Sequence, residues 1–168
     1  MNKVVITGAS AGIGLAAAKY FLAREWTVIM ADKIENRRVF DSLKSLYREN
    51  VFFVKCDVSK NSDVKHLFSE TVKLIDRVNC VVNNAGIIAH GLLHEADEDE
   101  WDNVMDTDVK SIFLTSKYFI PLMIENGGGT IVNTASISGI AADYEMPVYN
   151  AAKGAVVNLT RAMALDYA

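Results

Sequence analysis

Proline and cysteine are both scarce in this chain, with two of each among 168 residues. So little proline excludes a polyproline linker or a low-complexity tail and permits long uninterrupted elements. Cys56 and Cys80 stand in apolar, strand-like surroundings without CxxC spacing. They exclude a disulfide framework or thiolate metal site and read as reduced core thiols of a cytoplasmic protein. Positive charge has no surplus: 17 Lys and Arg face 21 Asp and Glu, a net −4. Without a basic stripe, nucleic acid is not an expected partner. No apolar run is long enough for a bilayer, the longest lying near Ile140, and the N-terminus opens on a strand pattern rather than a signal peptide. No membrane partner is expected. His90 and His94 are four apart, but Gly91 between them and the want of a third ligand argue against a metal.

What is present is an ordered composition, 51% apolar and 23% charged. At this length it fits one domain, residues 1–168, with a real core. Short apolar runs at Lys3 to Thr7, Trp26 to Ala31, Val51 to Cys56, Val78 to Val82 and Thr130 to Ala135 read as strands. Helical patterns separate them: from the glycine turn through Ala23, over Asp41 to Arg48, and over Ser62 to Leu74 with Ser62 or Asn61 as cap. A long helix is expected from Glu98 to Glu125, bent by Pro121 and stopped by Gly127 to Gly129. Pro147 lies in a loop before the last helix. Such alternation predicts an α/β fold, a doubly wound parallel sheet in three α/β/α layers with right-handed crossovers.

In such a sheet ligands bind beyond the carboxyl ends of the strands. The first strand runs directly into Thr7-Gly8-Ala9-Ser10-Ala11-Gly12-Ile13-Gly14 and then a helix. Gly8 suits a sharp turn, and Gly12 and Gly14 let the backbone approach a pyrophosphate, with Ser10, Ala11 and Ile13 filling the loop. The helix N-terminus adds N–H groups and a positive dipole end. Asp32 ends the second strand, where a carboxylate bonds a ribose 2′-hydroxyl and repels a 2′-phosphate. That favours NAD, while Lys33, Arg37 and Arg38 close by leave NADP open. Asp57-Val58 ends the third strand, in reach of an adenine amino group. Asn83-Asn84-Ala85-Gly86 ends the fourth, small enough for a planar ligand and with amides to tie loops together.

Tyr149 and Lys153 stand at i and i+4, so a helix puts them on one face. A free phenol ionises near pH 10, and lowering that by about three units takes roughly 4 kcal/mol of preferential stabilisation of the anion. A neighbouring ammonium is one source. Ser136, thirteen residues before Tyr149, is delivered by the fifth strand and can hold a substrate oxygen while the phenol exchanges its proton. A Tyr and a Lys four apart usually mean a surface contact. Here Gly8, Asp32, Asp57, Asn83 and Ser136 all fall at strand ends, and that convergence favours a site.

With these residues in place, the sequence resembles the short-chain dehydrogenase/reductase family along its whole length. Thr7 to Gly14 resembles the family's cofactor loop, Asp57-Val58 its adenine-side motif and Asn83 to Gly86 its fourth-strand motif. Ser136, Tyr149 and Lys153 match its catalytic serine, tyrosine and lysine in order and spacing. The resemblance implies a Rossmann-type fold and NAD(P)(H)-dependent interconversion of a small-molecule alcohol and ketone. Tyr149 would be the general acid/base, Ser136 would orient the substrate oxygen, and Lys153 would bind the nicotinamide ribose and favour the phenolate. It also implies a homodimer or homotetramer built on the helices carrying Asp108 and Tyr149. Alternatives are a reductase of acyl-carrier-bound 3-oxo substrates and a dinucleotide-binding module without turnover.

Two departures stand out. Asp108 occupies the position of a family asparagine that holds a water in a proton relay; an ionised aspartate accepts hydrogen bonds but cannot donate. The family also runs on to about 250 residues, so the fold is expected to stop after the sixth main helix, without the later strands and substrate lid.

Overall fold

The computed structural model describes residues 2–168. Five strands, β1 (Lys3–Thr7), β2 (Thr27–Asp32), β3 (Val51–Lys55), β4 (Cys80–Asn83) and β5 (Thr130–Asn133), form one parallel sheet in the order β3-β2-β1-β4-β5. The helices between them are α1 (Gly12–Leu22), α2 (Arg37–Tyr47), α3 (Asn61–Leu74), α4 (Glu98–Met105), α5 (Ser111–Glu125) and α6 (Pro147–Tyr167). The order reverses at β1, so the carboxyl ends of β1 and β4 flank a crevice, the usual ligand position in such sheets.

Alternate residues of each strand supply two cores. Val5, Ile29 and Val81 face α3 and α5, packing on Val64, Leu67 and Phe119. Val4, Ile6, Val28, Met30 and Val82 face the other way, packing on Ala18, Leu22 and Leu43 of α1 and α2. Covered on both faces, β1, β2 and β4 are continuous apolar runs without alternation, while the edge strand β5 is only partly covered. The doubly wound three-layer expectation holds.

Element boundaries correct several expectations. Helix α2 starts four residues before Asp41, because the Asn36 side chain accepts the Val39 N–H and caps it. Neither Asn61 nor Ser62 caps α3; the cap position is Lys60, which makes no side-chain cap bond. Strand β4 begins at Cys80 rather than Val78, and β5 ends at Asn133, which leaves Ser136 three residues past its end. Pro147 is the first residue of α6 rather than part of a loop; its missing N–H is one that a helix start leaves unpaired anyway.

The long helix is not continuous. Residues Asp106–Lys110 form a π turn between α4 and α5, with Asp108 buried at its centre. Helix α5 then runs through Pro121 to Glu125. Gly127 and Gly128, at φ of 84° and 111°, close it, and the Gly128 N–H returns to the Met123 carbonyl at 2.8 Å.

The two thiols are buried and unpaired. Burial pushes Cys56 up to about 12, with the nearby Asp63, Asp57 and Asp32 carboxylates adding to it, and burial alone pushes Cys80 up to about 11.

Candidate functional site

The glycine turn carries β1 into α1. Gly8 and Gly12 have φ of 65° and 52°, a region that costs a side-chain residue about 1–2 kcal/mol. Gly14 answers to packing instead: a Cβ there would lie 2.1 Å from the Gly8 carbonyl oxygen and 2.6 Å from Asn84 Nδ2. That amide holds the turn from β4, donating to the carbonyls of Thr7 (3.1 Å) and Gly8 (3.3 Å). Thr7 Oγ1 in turn accepts the N–H groups of Asn84 and Ala85 at 3.0 and 3.1 Å. The ends of β1 and β4 are thereby locked together, and the amides after β4 do tie the loops.

The start of α1 is open. Its cap residue, Ala11, has no side-chain acceptor to offer, and a Cβ on Gly12 would meet nothing within 4 Å. Bare N–H groups at a positive dipole end, beside space left by glycine, fit a cofactor diphosphate. Asp32 braces this loop by accepting the Ser10 N–H at 3.0 Å and the Ile34 N–H at 3.2 Å, while Ser10 Oγ donates to the Ile34 carbonyl at 2.7 Å.

Beside the turn lies a cleft of about 260 Å³ lined by Gly8, Asp32, Asp57, Val58, Asn84 and Gly86 among others, with Lys33 and Ala85 also on its wall. Residues drawn from four strand ends thus share one hollow, of a shape and polarity that fit the adenosine half of a dinucleotide. The Asp57 carboxylate is half spent already, since Oδ1 accepts the Ser59 N–H (3.2 Å) and Oγ–H (2.7 Å). Partial burial would raise this carboxyl, but the Ser59 bonds and the Lys60 ammonium outweigh it and hold it below the usual range. A larger hollow of about 480 Å³ lies far from these residues, along the open edge of β5 between Ile131, Met123 and Met163.

Ser136 follows β5 and leads into a tight turn at Ile137–Gly139 that packs on α6. Gly139 permits this contact: a Cβ there would lie 2.5 Å from the Lys153 carbonyl oxygen. The serine is therefore fixed against the helix that carries Tyr149 and Lys153. Lys153 Nζ lies 5.5 Å from the centre of the Tyr149 ring. Its own directed hydrogen bond goes to the Thr134 carbonyl at 3.0 Å.

Asp108 is brought to the same amine. Its Oδ2 lies 3.0 Å from Lys153 Nζ as an ion pair. Its Oδ1 accepts the Ile87 N–H at 2.8 Å. Gly86 makes room for the carboxylate, because a Cβ on Gly86 would come within 2.9 Å of Oδ2. Asp108, the departure from the family asparagine, is thus in direct contact with the lysine.

Sequence reasoning missed three residues around Ser136. Ser136 Oγ lies 3.0 Å from Ser138 Oγ, and Ser138 Oγ donates to the Asp143 carboxylate. Asn150, next to Tyr149, grips Asp143 by its backbone: Nδ2 donates to the carbonyl at 2.8 Å and Oδ1 accepts the N–H at 3.3 Å. The two serines and the glycine of Ser136-Ile137-Ser138-Gly139 were the one available signal.

Among the described residues no helix is long and apolar enough to cross a membrane. The family profile described as short chain dehydrogenase matches residues 2–168. The chain is 40% identical over 167 residues to a meso-2,3-butanediol dehydrogenase of Serratia marcescens, covering 99% of this chain and 66% of that one. It is 41% identical over 167 residues to an uncharacterized oxidoreductase, YxbG, of Bacillus subtilis, covering 98% and 60%. Its fold superposes with a TM-score of 0.94 on a short chain dehydrogenase/reductase from Burkholderia phymatum in complex with NAD, at 33% identity over 98% of this chain and 59% of that one. The chain thus spans 60% and 66% of the two curated relatives' lengths. With its profile match over nearly every residue, its glycine turn and its parallel sheet, the chain belongs to the short chain dehydrogenase family.

Proposed function

We propose that this chain forms the cofactor-binding and catalytic part of an oxidoreductase that interconverts a secondary alcohol and a ketone with NAD(P)(H). The observation that supports the reading is the turn after β5, which seats Ser136 beside the helix carrying Tyr149 and Lys153. A purely binding module has no use for that trio. The Serratia relative, named for a diol dehydrogenase, and the Burkholderia structure, described with NAD, support the same class of reaction and cofactor.

When bound, the nicotinamide supplies or takes up a hydride at the carbinol carbon. Gly8, Ser10, Ala11, Gly12, Ile13 and Gly14 would hold the diphosphate, and Asp32 and Lys33 the adenosine ribose. Asp57, Val58, Asn84, Ala85 and Gly86 would line the adenine and the path to the nicotinamide. Ser136 Oγ steadies the reacting oxygen. Tyr149 gives its phenolic proton to that oxygen when a ketone is reduced and takes one back when an alcohol is oxidised. Lys153 supplies the positive charge on this side, and Asp108 positions Lys153.

The cofactor preference proposed is NAD, since Asp32 sits where a 2′-phosphate would bring a second anion. The same reading has copies of the chain associate through α4, α5 and α6 in a cytoplasmic enzyme. Exposed Phe113 and Pro121, with half-buried Leu159 and Met163, border a groove between α5 and α6 that suits such a contact.

Replacing Tyr149 with Phe tests the reading. NADH binding, followed by energy transfer from the tryptophans, is expected to persist while turnover of a carbonyl panel falls at least about a hundred-fold, the scale of lost acid–base catalysis. Retained turnover would exclude the role given to Tyr149.

A further inference from the structure

We infer that Ser138 and Asp143 form a second polar subsite that recognises a hydroxyl on the carbon next to the reacting one. The substrate class is then the α-hydroxy ketones and their vicinal diols. The inference rests on the proposed role of Ser136 in holding the reacting oxygen.

The hydroxyls of Ser136 and Ser138 are neighbours at 3.0 Å, one hydrogen bond apart, much like the two oxygens of a vicinal diol. A substrate laid over this pair meets a protein oxygen at each of its own. The pair is also polarised in one direction. A carboxylate has no proton to give, so the bond between Ser138 and Asp143 uses the Ser138 proton; Ser138 Oγ accepts the Ser136 hydroxyl with one lone pair and keeps the second for a further donor. Its backbone N–H is committed as well, donating to Ser136 Oγ at 3.2 Å.

Asp143 retains unused capacity. Its Oδ2 takes the Ser138 proton, while among the described residues Oδ1 makes no hydrogen bond and the carboxylate forms no ion pair. An acceptor-only group so close to the reacting position calls for a donor on the substrate. A simple ketone or secondary alcohol has no second donor to offer; an adjacent hydroxyl does. Asp143 is held for the task from the helix that carries Tyr149, through both backbone bonds to Asn150. From the opposite side, the Gly91 N–H anchors the same loop at the Glu145 carbonyl, at 2.8 Å. Ile137 and Ile140, 74% and 80% exposed, flank the polar pair with apolar surface suited to short alkyl groups.

The test compares 3-hydroxy-2-butanone with 2-butanone, which share a carbon skeleton and differ in the one hydroxyl. The full-length protein and its Asp143→Ala variant are assayed with NADH, and the ratio of kcat/KM for the two ketones is read. The ratio is expected to fall by about ten- to a hundred-fold in the variant, the worth of a hydrogen bond to a charged group. Asp143→Asn, which keeps an acceptor but loses the charge, is expected to fall between. NADH binding by tryptophan fluorescence shows that each variant is folded.

Equal losses on both ketones would reduce Asp143 to a loop clamp and overturn the inference, as would a wild-type protein indifferent to the hydroxyl. If no ketone is turned over although NADH binds, the proposed reaction fails. The subsite is then read independently from calorimetric affinities of the same two ketones for the NAD-saturated protein, where loss of discrimination in Asp143→Ala supports it and its absence overturns it.

Discussion

Asp108 and Lys153 form the ion pair in which, among the described residues, both side chains are buried, 0% and 5% exposed, with Oδ2 and Nζ at 3.0 Å. Each ion is tied separately to backbone, Asp108 to the Ile87 N–H and Lys153 to the Thr134 carbonyl. Removing one partner of such a pair strands the other charge without water.

Asp108→Ala should therefore lower stability by about 3–5 kcal/mol, read from urea unfolding. Asp108→Asn keeps the acceptor for Ile87 but removes the anion. The anion beside Lys153 is then lost, and the dependence of alcohol oxidation on pH should change. An unchanged profile in Asp108→Asn would show that the aspartate has no part in proton exchange.

The glycine turn separates crowding from conformation. Gly14→Ala places a methyl against the backbone oxygen of Gly8 and should cost about 1–3 kcal/mol, the scale of overpacking. Gly12→Ala meets no neighbour, and its cost of about 1 kcal/mol comes from positive φ alone. Melting temperatures should rank Gly14→Ala below Gly12→Ala. Both should weaken NADH binding, the second because its methyl fills the space above the helix start. Equal melting temperatures would contradict the crowding at Gly14.

Thiol chemistry should report folding. With Cys56 and Cys80 pushed up to about 12 and about 11, almost no thiolate exists at pH 8 in the native protein. Labelling by a disulfide reagent should be slow when native and rapid for both thiols in denaturant. Prompt labelling of the native chain would show that the core opens easily.

Acid should weaken the fold partly through Asp57. Its carboxyl is held below the ordinary value in the folded chain, so its contribution is full above the unfolded value of about 4 and is lost as pH falls through the folded one. Between pH 5 and pH 2, Asp57→Asn should lose less stability than the unaltered chain. Parallel losses would show that the Ser59 and Lys60 contacts do not persist in solution.

Strands β1, β2 and β4 proved legible in the sequence because parallel strands covered on both faces must be apolar throughout, and the glycine turn because φ and close approach demand glycine at Gly8 and Gly14. Asn36 escaped the sequence reading because an asparagine ahead of Arg37 and Arg38 marks a turn as readily as a cap, although Val39 and Phe40 already belong to the apolar face of α2. The π turn left no trace in composition, since the contact of Asp108 with Lys153 is made by another helix 45 residues on. Ser138, Asp143 and Asn150 were likewise hidden: their bonds depend on the path of a loop, and none carries a spacing that a helix or strand would impose.

The wide turn at Asp106–Lys110 amounts to one residue more than a regular helix would hold. Deleting a single residue here would therefore close the turn to a regular helix and leave α5 facing the sheet, with Phe119 still in the core. What the deletion would displace is the buried carboxylate of Asp108, drawn away from the amine of Lys153. The extra residue thus serves the ion pair and not the packing of α5.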